Sequence, residues 1–101
     1  MYIIDNEKLN KRPEMRIADK IYTIDNRLST FQRINERLTT RDGISDFEII
    51  IAEALGTENL QEINNMDLSY GVMHDIVIII LAAIQDVSAE EARSRFRREI
   101  D

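Results

Sequence analysis

The stretch that most constrains the fold is residues 72–84, which read V-M-H-D-I-V-I-I-I-L-A-A-I. A helix that crosses a bilayer needs roughly 20 apolar residues, so this run is too short to span a membrane. It is also too long for a buried strand, which has about four to eight residues. A helix that is apolar nearly all round must be covered by other elements on nearly all sides. The stretch therefore predicts the central helix of a small helical domain.

A β-hairpin is predicted ahead of the helices. Met15 and Ile17 alternate with Arg16, residues 19–20 suit a turn, and residues 21–24 are all β-branched or aromatic. Such runs favour paired strands, and an isolated hairpin is marginal, so we expect it to pack against the helices.

Residues 1–14 are expected to form a separate and partly irregular segment. Tyr2, Ile3 and Ile4 are a short β-favouring run, and a polar stretch leads from them to Pro13. Because proline disfavours helix at the residue before it, a loop is predicted there.

The first long helix is predicted to begin after Asp25, whose side chain suits a cap. It carries an apolar stripe on one face and is ended by residues 39–43. The stripe consists of Leu28, Phe31, Ile34 and Leu38.

The next helix has the clearest start signal in the chain. Ser45 and Glu48 form an S-x-x-E capping box, and Ile44 and Ile49 are spaced as a hydrophobic staple. Gly56 is placed to end this helix.

The later helices have start and stop residues of the same kinds. Thr57 is predicted to cap a short helix that carries Leu60 and Ile63, and Asp67 or Ser69 to open the central helix. Asp86 is predicted to close it. Ser88 and Glu91 form a second capping box before a last helix with Ala92, Phe96 and Ile100 on one face.

Together these signals predict a mainly α fold. About five helices surround the central helix at 72–84, with a short N-terminal β-hairpin. A chain of 101 residues is large enough for one core, so residues 15–101 are interpreted as a single domain.

Charge is unevenly distributed along the chain, whose net charge is −6. Residues 1–41 hold nine Lys or Arg against six acids, residues 42–92 hold eleven acids and no Lys or Arg, and residues 93–101 hold four Arg against two acids. This pattern indicates either a solvated acidic surface or complementary patches through which copies of the chain associate.

The absence of cysteine and the composition of the first residues indicate the cellular compartment. The chain has no cysteine, which fits a reducing compartment, and its first residues lack the basic start and apolar run of a secretory signal. A cytoplasmic location is predicted.

The sequence contains no residue pattern that is typical of a catalytic, metal-binding or phosphate-binding site. His74 is the only histidine, and its neighbour Asp75 points about 100° away on a helix, so the two form neither a dyad nor a chelate. Three glycines, Gly43, Gly56 and Gly71, do not make a phosphate-binding loop. We therefore predict no enzymatic activity, no cofactor and no metal.

Four arginines on the last helix are the candidate interaction residues: Arg93, Arg95, Arg97 and Arg98. They suit a protein-binding face, a solvated helix end that complements the helix dipole, or phosphate contacts. Nucleic acid is the less favoured partner because the whole chain is acidic and Phe96 is the only aromatic residue among the arginines.

The order of these elements resembles a known family. The hairpin motif M-R-I-A-D-K-I-Y-T-I-D precedes a polar helix, and A-L-G-T-E-N-L-Q-E-I leads through M-D-L-S-Y to the apolar run I-V-I-I-I-L-A-A-I-Q-D and a closing V-S-A-E-E-A-R-S-R-F. Over residues 15–96 this is similar to the small tail assembly chaperones of long-tailed bacteriophages and prophages. The segment before the hairpin is longer than such proteins usually have.

The resemblance implies a non-enzymatic role in building the phage tail, in the cytoplasm of the bacterial host. Such proteins coat the tape measure protein, keep it soluble, and leave as tail-tube subunits polymerise around it; they also tend to self-associate. The alternative is a generic prophage helical module that binds and regulates a single host or phage protein.

Overall fold

The computed structural model describes residues 1–40 and 43–100, with the side chains of Lys8, Asn10 and residues 97–100 excepted. It confirms the predicted fold, a mainly helical chain with a two-stranded antiparallel hairpin near the N-terminus. In chain order the elements are α1 (Asn6–Asn10), β1 (Glu14–Ile17), β2 (Lys20–Thr23), α2 (Leu28–Thr40), α3 (Asp46–Leu55), α4 (Thr57–Asn65), α5 (Tyr70–Gln85) and α6 (Ala89–Ile100).

The hairpin turns one residue earlier than predicted. Its loop is formed by Ala18, with φ of 54°, and Asp19, while Lys20 already belongs to β2. The two-residue loop pairs Ile17 with Lys20 in the ladder. The Lys20 ammonium forms an ion pair with Glu62 of α4 and lies 5.0 Å from the centre of the Tyr22 ring. Met15 stands opposite Tyr22 in the register, and both side chains are buried against the helices.

The N-terminal segment differs from the sequence expectation at two points. Tyr2, Ile3 and Ile4 are not in a strand and are exposed to solvent. The polar stretch before Pro13 contains the short helix α1, after which residues 11–13 are irregular.

Helix α2 confirms the predicted stripe only in part. Ile34 is fully buried, Phe31 and Leu38 are half-buried, and Leu28 is 71% exposed because it stands at the first residue of the helix. The Asp25 carboxylate accepts the backbone N–H of Arg27 at 3.2 Å, just before the helix begins. Asp42, one of the residues predicted to end this helix, lies outside the described residues.

Helix α3 begins and ends where predicted. Ser45 Oγ accepts the backbone N–H of Glu48 at 3.3 Å, and the helix ends at Gly56, which has φ of 97°. Ile49 is buried, whereas Ile44 is largely exposed.

The predicted cap of α4 at Thr57 is wrong. Thr57 is the first residue of the helix, and Gly56 occupies the cap position without a side chain to bond the free N–H groups. One residue separates α3 from α4, so Gly56 ends one helix and precedes the next. Ile63 of α4 is fully buried and Leu60 half-buried.

Helix α5 is the central element, as the apolar run predicts. Ser69 is the cap among the two candidates, since its Oγ accepts the backbone N–H of Val72 at 3.2 Å, and Asp86 ends the helix with left-handed backbone at φ 55°. The helix packs against α3 and α6, and α3 packs in turn against α2 and α4. Coverage is less complete than predicted, because Val72 and Ile79 on a shared face are 43% and 44% exposed.

Helix α6 also starts at its predicted capping residue. Ser88 Oγ accepts the backbone N–H of Glu91 at 3.1 Å. Ala92 and Phe96 are buried against the core, and the Ile100 side chain lies outside the described part.

Candidate protein-binding groove

Two of the four candidate arginines, Arg93 and Arg95, have contacts within the chain. Arg95 Nε donates to Glu91 Oε1 at 3.0 Å, and its guanidinium also donates to the Gln85 side chain. Arg93 Nη2 lies 3.7 Å from Asp75 Oδ1. The side chains of Arg97 and Arg98 lie outside the described residues.

Arg93 and Arg95 therefore bridge α6 to α5 within the chain. Both are partly exposed, and ion pairs at such positions contribute roughly 0–1 kcal/mol each. Their role in binding a partner stays a prediction.

Arg95 also lines the cleft that we regard as the candidate site. This cleft, with a volume of about 430 Å³, lies where the start of α2 meets the end of α5 and α6. Its lining combines apolar side chains, two amides and two guanidinium groups, contributed by Asn26, Arg27, Leu28, Phe31, Ile84, Gln85 and Arg95.

A second cleft, of about 650 Å³, adjoins the first and shares Asn26 and Ile84 with it. Here the N-terminal segment faces the end of α5. The remaining lining residues are Asp5, Glu7, Lys11, Pro13, Ala83 and Asp86. We call the two clefts together the α5 groove.

The apolar floor of the α5 groove is made by residues that the fold leaves incompletely covered. Leu28 is 71% exposed, and Phe31 and Ile84 are half-buried. Leu28 and Phe31 are one turn apart on α2, while Ile84 comes from the last turn of α5. The start of α2 and the last turn of α5 thus contribute apolar side chains to the same cleft.

Charged side chains line both clefts. Arg27 and Arg95 line the first; Asp5, Glu7 and Asp86, together with Lys11, line the second. In the first cleft each arginine is paired with a carboxylate of the chain: Arg95 with Glu91, and Arg27 with Asp25, with Nη2 to Oδ2 at 2.7 Å. This guanidinium, which donates to the Asp25 carboxylate, keeps the pKa of that carboxyl group well below its usual range.

His74, which the sequence places as an ordinary helix residue, lies in a cluster of aromatic rings. Its ring centroid is 5.7 Å from that of Phe96, 6.1 Å from that of Phe47 and 6.5 Å from that of Tyr70. The cluster joins α3, α5 and α6, which indicates a packing role for the imidazole.

Within the part of the chain that the structure describes, no group of three or more His, Cys, Asp or Glu side chains is arranged to hold a metal ion. Among the same residues, no single helix is long and apolar enough to cross a membrane. Tyr70–Gln85 and Ala89–Phe96, bent by 106° at their junction, have the length and composition of a broken span only when counted together.

Comparison with known proteins identified no relative of this chain. No family model matches the chain, and no curated protein or solved structure gives a significant match.

Sequence reasoning missed the α5 groove. The spacing of Leu28 and Phe31 marks them as apolar, but it assigns both to the core. The only available signal was that the α2 stripe begins at the first turn of its helix, where coverage by neighbours is least complete.

Proposed function

We propose that this protein is a phage tail assembly chaperone, a non-enzymatic protein of the bacterial cytoplasm that binds the tape measure protein and keeps it soluble during tail-tube polymerisation. Two things support the proposal. The first is the resemblance in element order over residues 15–96. The second is the α5 groove, the observation that carries the proposal.

The groove supports binding because it is apolar along its floor and is lined by charged side chains. Leu28, Phe31 and Ile84 offer a surface on which a partner helix would bury its own apolar stripe. Burial of a large apolar side chain contributes about 1.5–3 kcal/mol. For a contact of only a few such side chains, the freedom that the two partners lose on association offsets most of this gain. A groove of this size therefore favours weak and reversible binding, which suits a chaperone that has to leave its client.

Co-expression tests this proposal directly. A segment of a tape measure protein, taken from a phage or prophage that encodes this chain, is expressed in bacteria with and without it. We expect the segment to be soluble only in the presence of the chain. A segment that stays insoluble with the wild-type chain, both being expressed at comparable levels, would contradict the proposed function.

Two variants sharpen this experiment. Leu28→Glu places a charge on the groove floor at an exposed position, so the fold is expected to tolerate it while solubilisation is lost. Ile21→Glu is the matched control, because Ile21 is 57% exposed on the hairpin and does not line the groove. The control is expected to solubilise the segment like the wild type.

We further propose that copies of the chain associate through their segregated charges. Mass in solution, followed by light scattering across a concentration series, is expected to grow reversibly and to grow less in the double variant Arg93→Glu with Arg97→Glu. A strict monomer at every concentration would shift the weight to the alternative function, a prophage module that regulates a single host or phage protein.

A further inference from the structure

We propose that the exposed apolar residues 1–4 of one copy of this chain bind in the α5 groove of a second copy. We call these residues the apolar arm. Arm and groove lie at the same end of the molecule, so that two copies exchange their arms and close as a dimer. This inference goes beyond the proposed function, since it states what covers the groove when no client is bound.

The apolar arm is the longest run of exposed large apolar side chains in the part of the chain that the structure describes. Tyr2, Ile3 and Ile4 are 104%, 73% and 68% exposed, so they add little to the core of their own chain. Monomeric proteins rarely leave several such side chains together in water, and a surface of this kind marks a contact with another molecule. The arm therefore needs a partner that its own fold does not supply.

The arm leaves the domain at the rim of the α5 groove. Asp5, the residue that follows the arm, lines the second cleft together with Ala83 and Ile84 at the end of α5. Ile84 also lines the first cleft, together with the exposed Leu28. An uncovered apolar arm and an uncovered apolar floor thus lie at one end of the same molecule.

The residues around Asp5 favour the groove of a second copy over the arm's own groove. Ile3 and Ile4 are β-branched and favour an extended backbone. Helix α1 begins directly after Asp5, and the Leu9 N–H donates to the Asp5 carbonyl oxygen at 3.0 Å. The arm contains neither glycine nor proline, the residues with which tight turns are commonly built. It is therefore poorly suited to fold back onto its own domain.

The length of the arm sets the geometry of the exchange. Four extended residues span about 13 Å, so the arm reaches only a groove that lies directly against its own end of the molecule. A two-fold axis at that end brings each arm to the groove of the other copy, and the same contact forms twice. Exchange of this kind gives a closed dimer and not an open chain of copies.

Two variants, each defective in one half of the contact, test the exchange. Ile3→Asp with Ile4→Asp places charges in the arm, and Leu28→Glu places one on the groove floor. All three positions are exposed, so the fold is expected to tolerate the changes. By sedimentation equilibrium we expect the wild type to dimerise and each variant to have a dimer dissociation constant roughly tenfold higher or more. Ile21→Glu, at an exposed position outside the groove lining, is the control and should dimerise like the wild type.

Mixing the two variants gives an outcome that misfolding cannot imitate. The arm variant keeps an intact groove and the groove variant keeps an intact arm, so the mixture can form one of the two contacts. We expect a heterodimer that is weaker than the wild-type dimer and that neither variant forms alone. A wild-type chain that stays monomeric at every concentration would overturn the proposal, as would a dimer that both variants leave unchanged.

Disulfide formation locates the arm directly, because the chain has no cysteine of its own. Ile3→Cys and Leu28→Cys, carried by separate copies and mixed under mild oxidation, are expected to link the two copies. The matched control is Ile3→Cys mixed with Ile21→Cys, which should link much more slowly. Equal rates would overturn the proposal. So would a disulfide within one chain when Ile3→Cys and Leu28→Cys are combined, since the arm would then cover its own groove.

Salt separates this dimer from association through segregated charges. An apolar contact does not weaken as salt rises, whereas attraction between exposed charges does. We expect the dimer to persist at high salt and in the double variant Arg93→Glu with Arg97→Glu, while growth beyond the dimer declines in both. A dimer that dissociates as salt rises would show that the arm does not hold it.

Failure of this inference and failure of the proposed function are distinguishable. If the chain solubilises the tape measure segment but the arm and groove variants do not form a heterodimer, the arm exchange is wrong and the function stands. If the two variants form the heterodimer but the segment stays insoluble with the wild type, the groove binds the arm as inferred and the chaperone function is wrong.

Discussion

The imidazole of His74 meets the ring of Phe96 edge-on, with 5.7 Å between the ring centroids and 67° between the ring planes. This contact joins the first half of the central helix α5 to the last helix α6. Phe96 is buried and His74 half-buried, so the pair lies at the boundary of the core.

A double-mutant cycle of His74→Ala and Phe96→Ala is expected to give an interaction energy of about 0.5–1.5 kcal/mol, the usual value for an aromatic pair beyond its buried area. Urea unfolding of the wild type, the two single variants and the double variant measures it. Replacing the exposed Val72 by Ala on the same helix is the control and should change the free energy of unfolding by less than about 0.5 kcal/mol. Strict additivity of the two substitutions would show that the ring contact contributes no stability.

The Tyr22→Phe substitution is expected to leave the protein as stable as before or to stabilise it by up to about 1 kcal/mol. Tyr22 is 1% exposed, and among the described residues its hydroxyl has no hydrogen-bond partner. A buried hydroxyl without a partner keeps its desolvation cost, and removing it relieves that cost. Thermal unfolding measures the change, and a clear loss of stability would mean that the hydroxyl is hydrogen-bonded in solution.

Two glycine-to-alanine substitutions are expected to act in opposite directions. Gly56 has φ of 97° between α3 and α4, so Gly56→Ala should destabilise the protein by about 1–3 kcal/mol through backbone strain. Gly71 lies in the first turn of α5 with open space around its Cα, so Gly71→Ala should stabilise it by about 0.5 kcal/mol. Denaturant midpoints measure both changes, and an equal sign for the two would contradict this account.

Asp25→Asn is expected to lower stability at neutral pH by up to about 1 kcal/mol. Because Arg27 holds the pKa of Asp25 below its unfolded value of about 4, the carboxylate stabilises the folded chain above that pH and stops doing so as the pH falls. The difference between wild type and variant should therefore be constant above about pH 5, begin to narrow near pH 4, and close only as the pH falls through the lower pKa of the folded chain. Unfolding curves from pH 7 to pH 3 measure it.

Asp19→Asn in the exposed hairpin turn serves as the control for this series. Its stability at neutral pH should lie within about 0.5 kcal/mol of the wild type. A gap between Asp25→Asn and wild type that persisted unchanged at low pH would show that charge at Asp25 is not its cause.

The local elements of the fold were predictable because their signals act within one or two helical turns. Ser45, Ser69 and Ser88 each cap the helix that follows, through a hydrogen bond to an N–H three residues ahead. The left-handed backbone at Asp86 likewise ends α5 where its apolar run stops. Such preferences need no knowledge of the rest of the chain.

Two predictions of single residues failed. The hairpin turns at Ala18 and Asp19, one residue earlier than predicted, and Lys20 of β2 pairs with Glu62, which is 42 residues away and reaches it only in the folded chain. Thr57 does not cap α4 because Gly56 already occupies the only residue between two helices.

The sequence by itself determined the class of the fold, the central place of α5 and most helix ends, because hydrophobic periodicity and capping are local properties of the chain. Only the tertiary structure decided which apolar residues stay uncovered. Leu28 and Phe31 line the same cleft as Ile84, which is more than 50 residues further along the chain. The charged residues that line the α5 groove come from four segments: the N-terminal segment, the residue before α2, the residue after α5, and α6. A binding surface of this kind exists only after the helices have packed, since no window of sequence contains it.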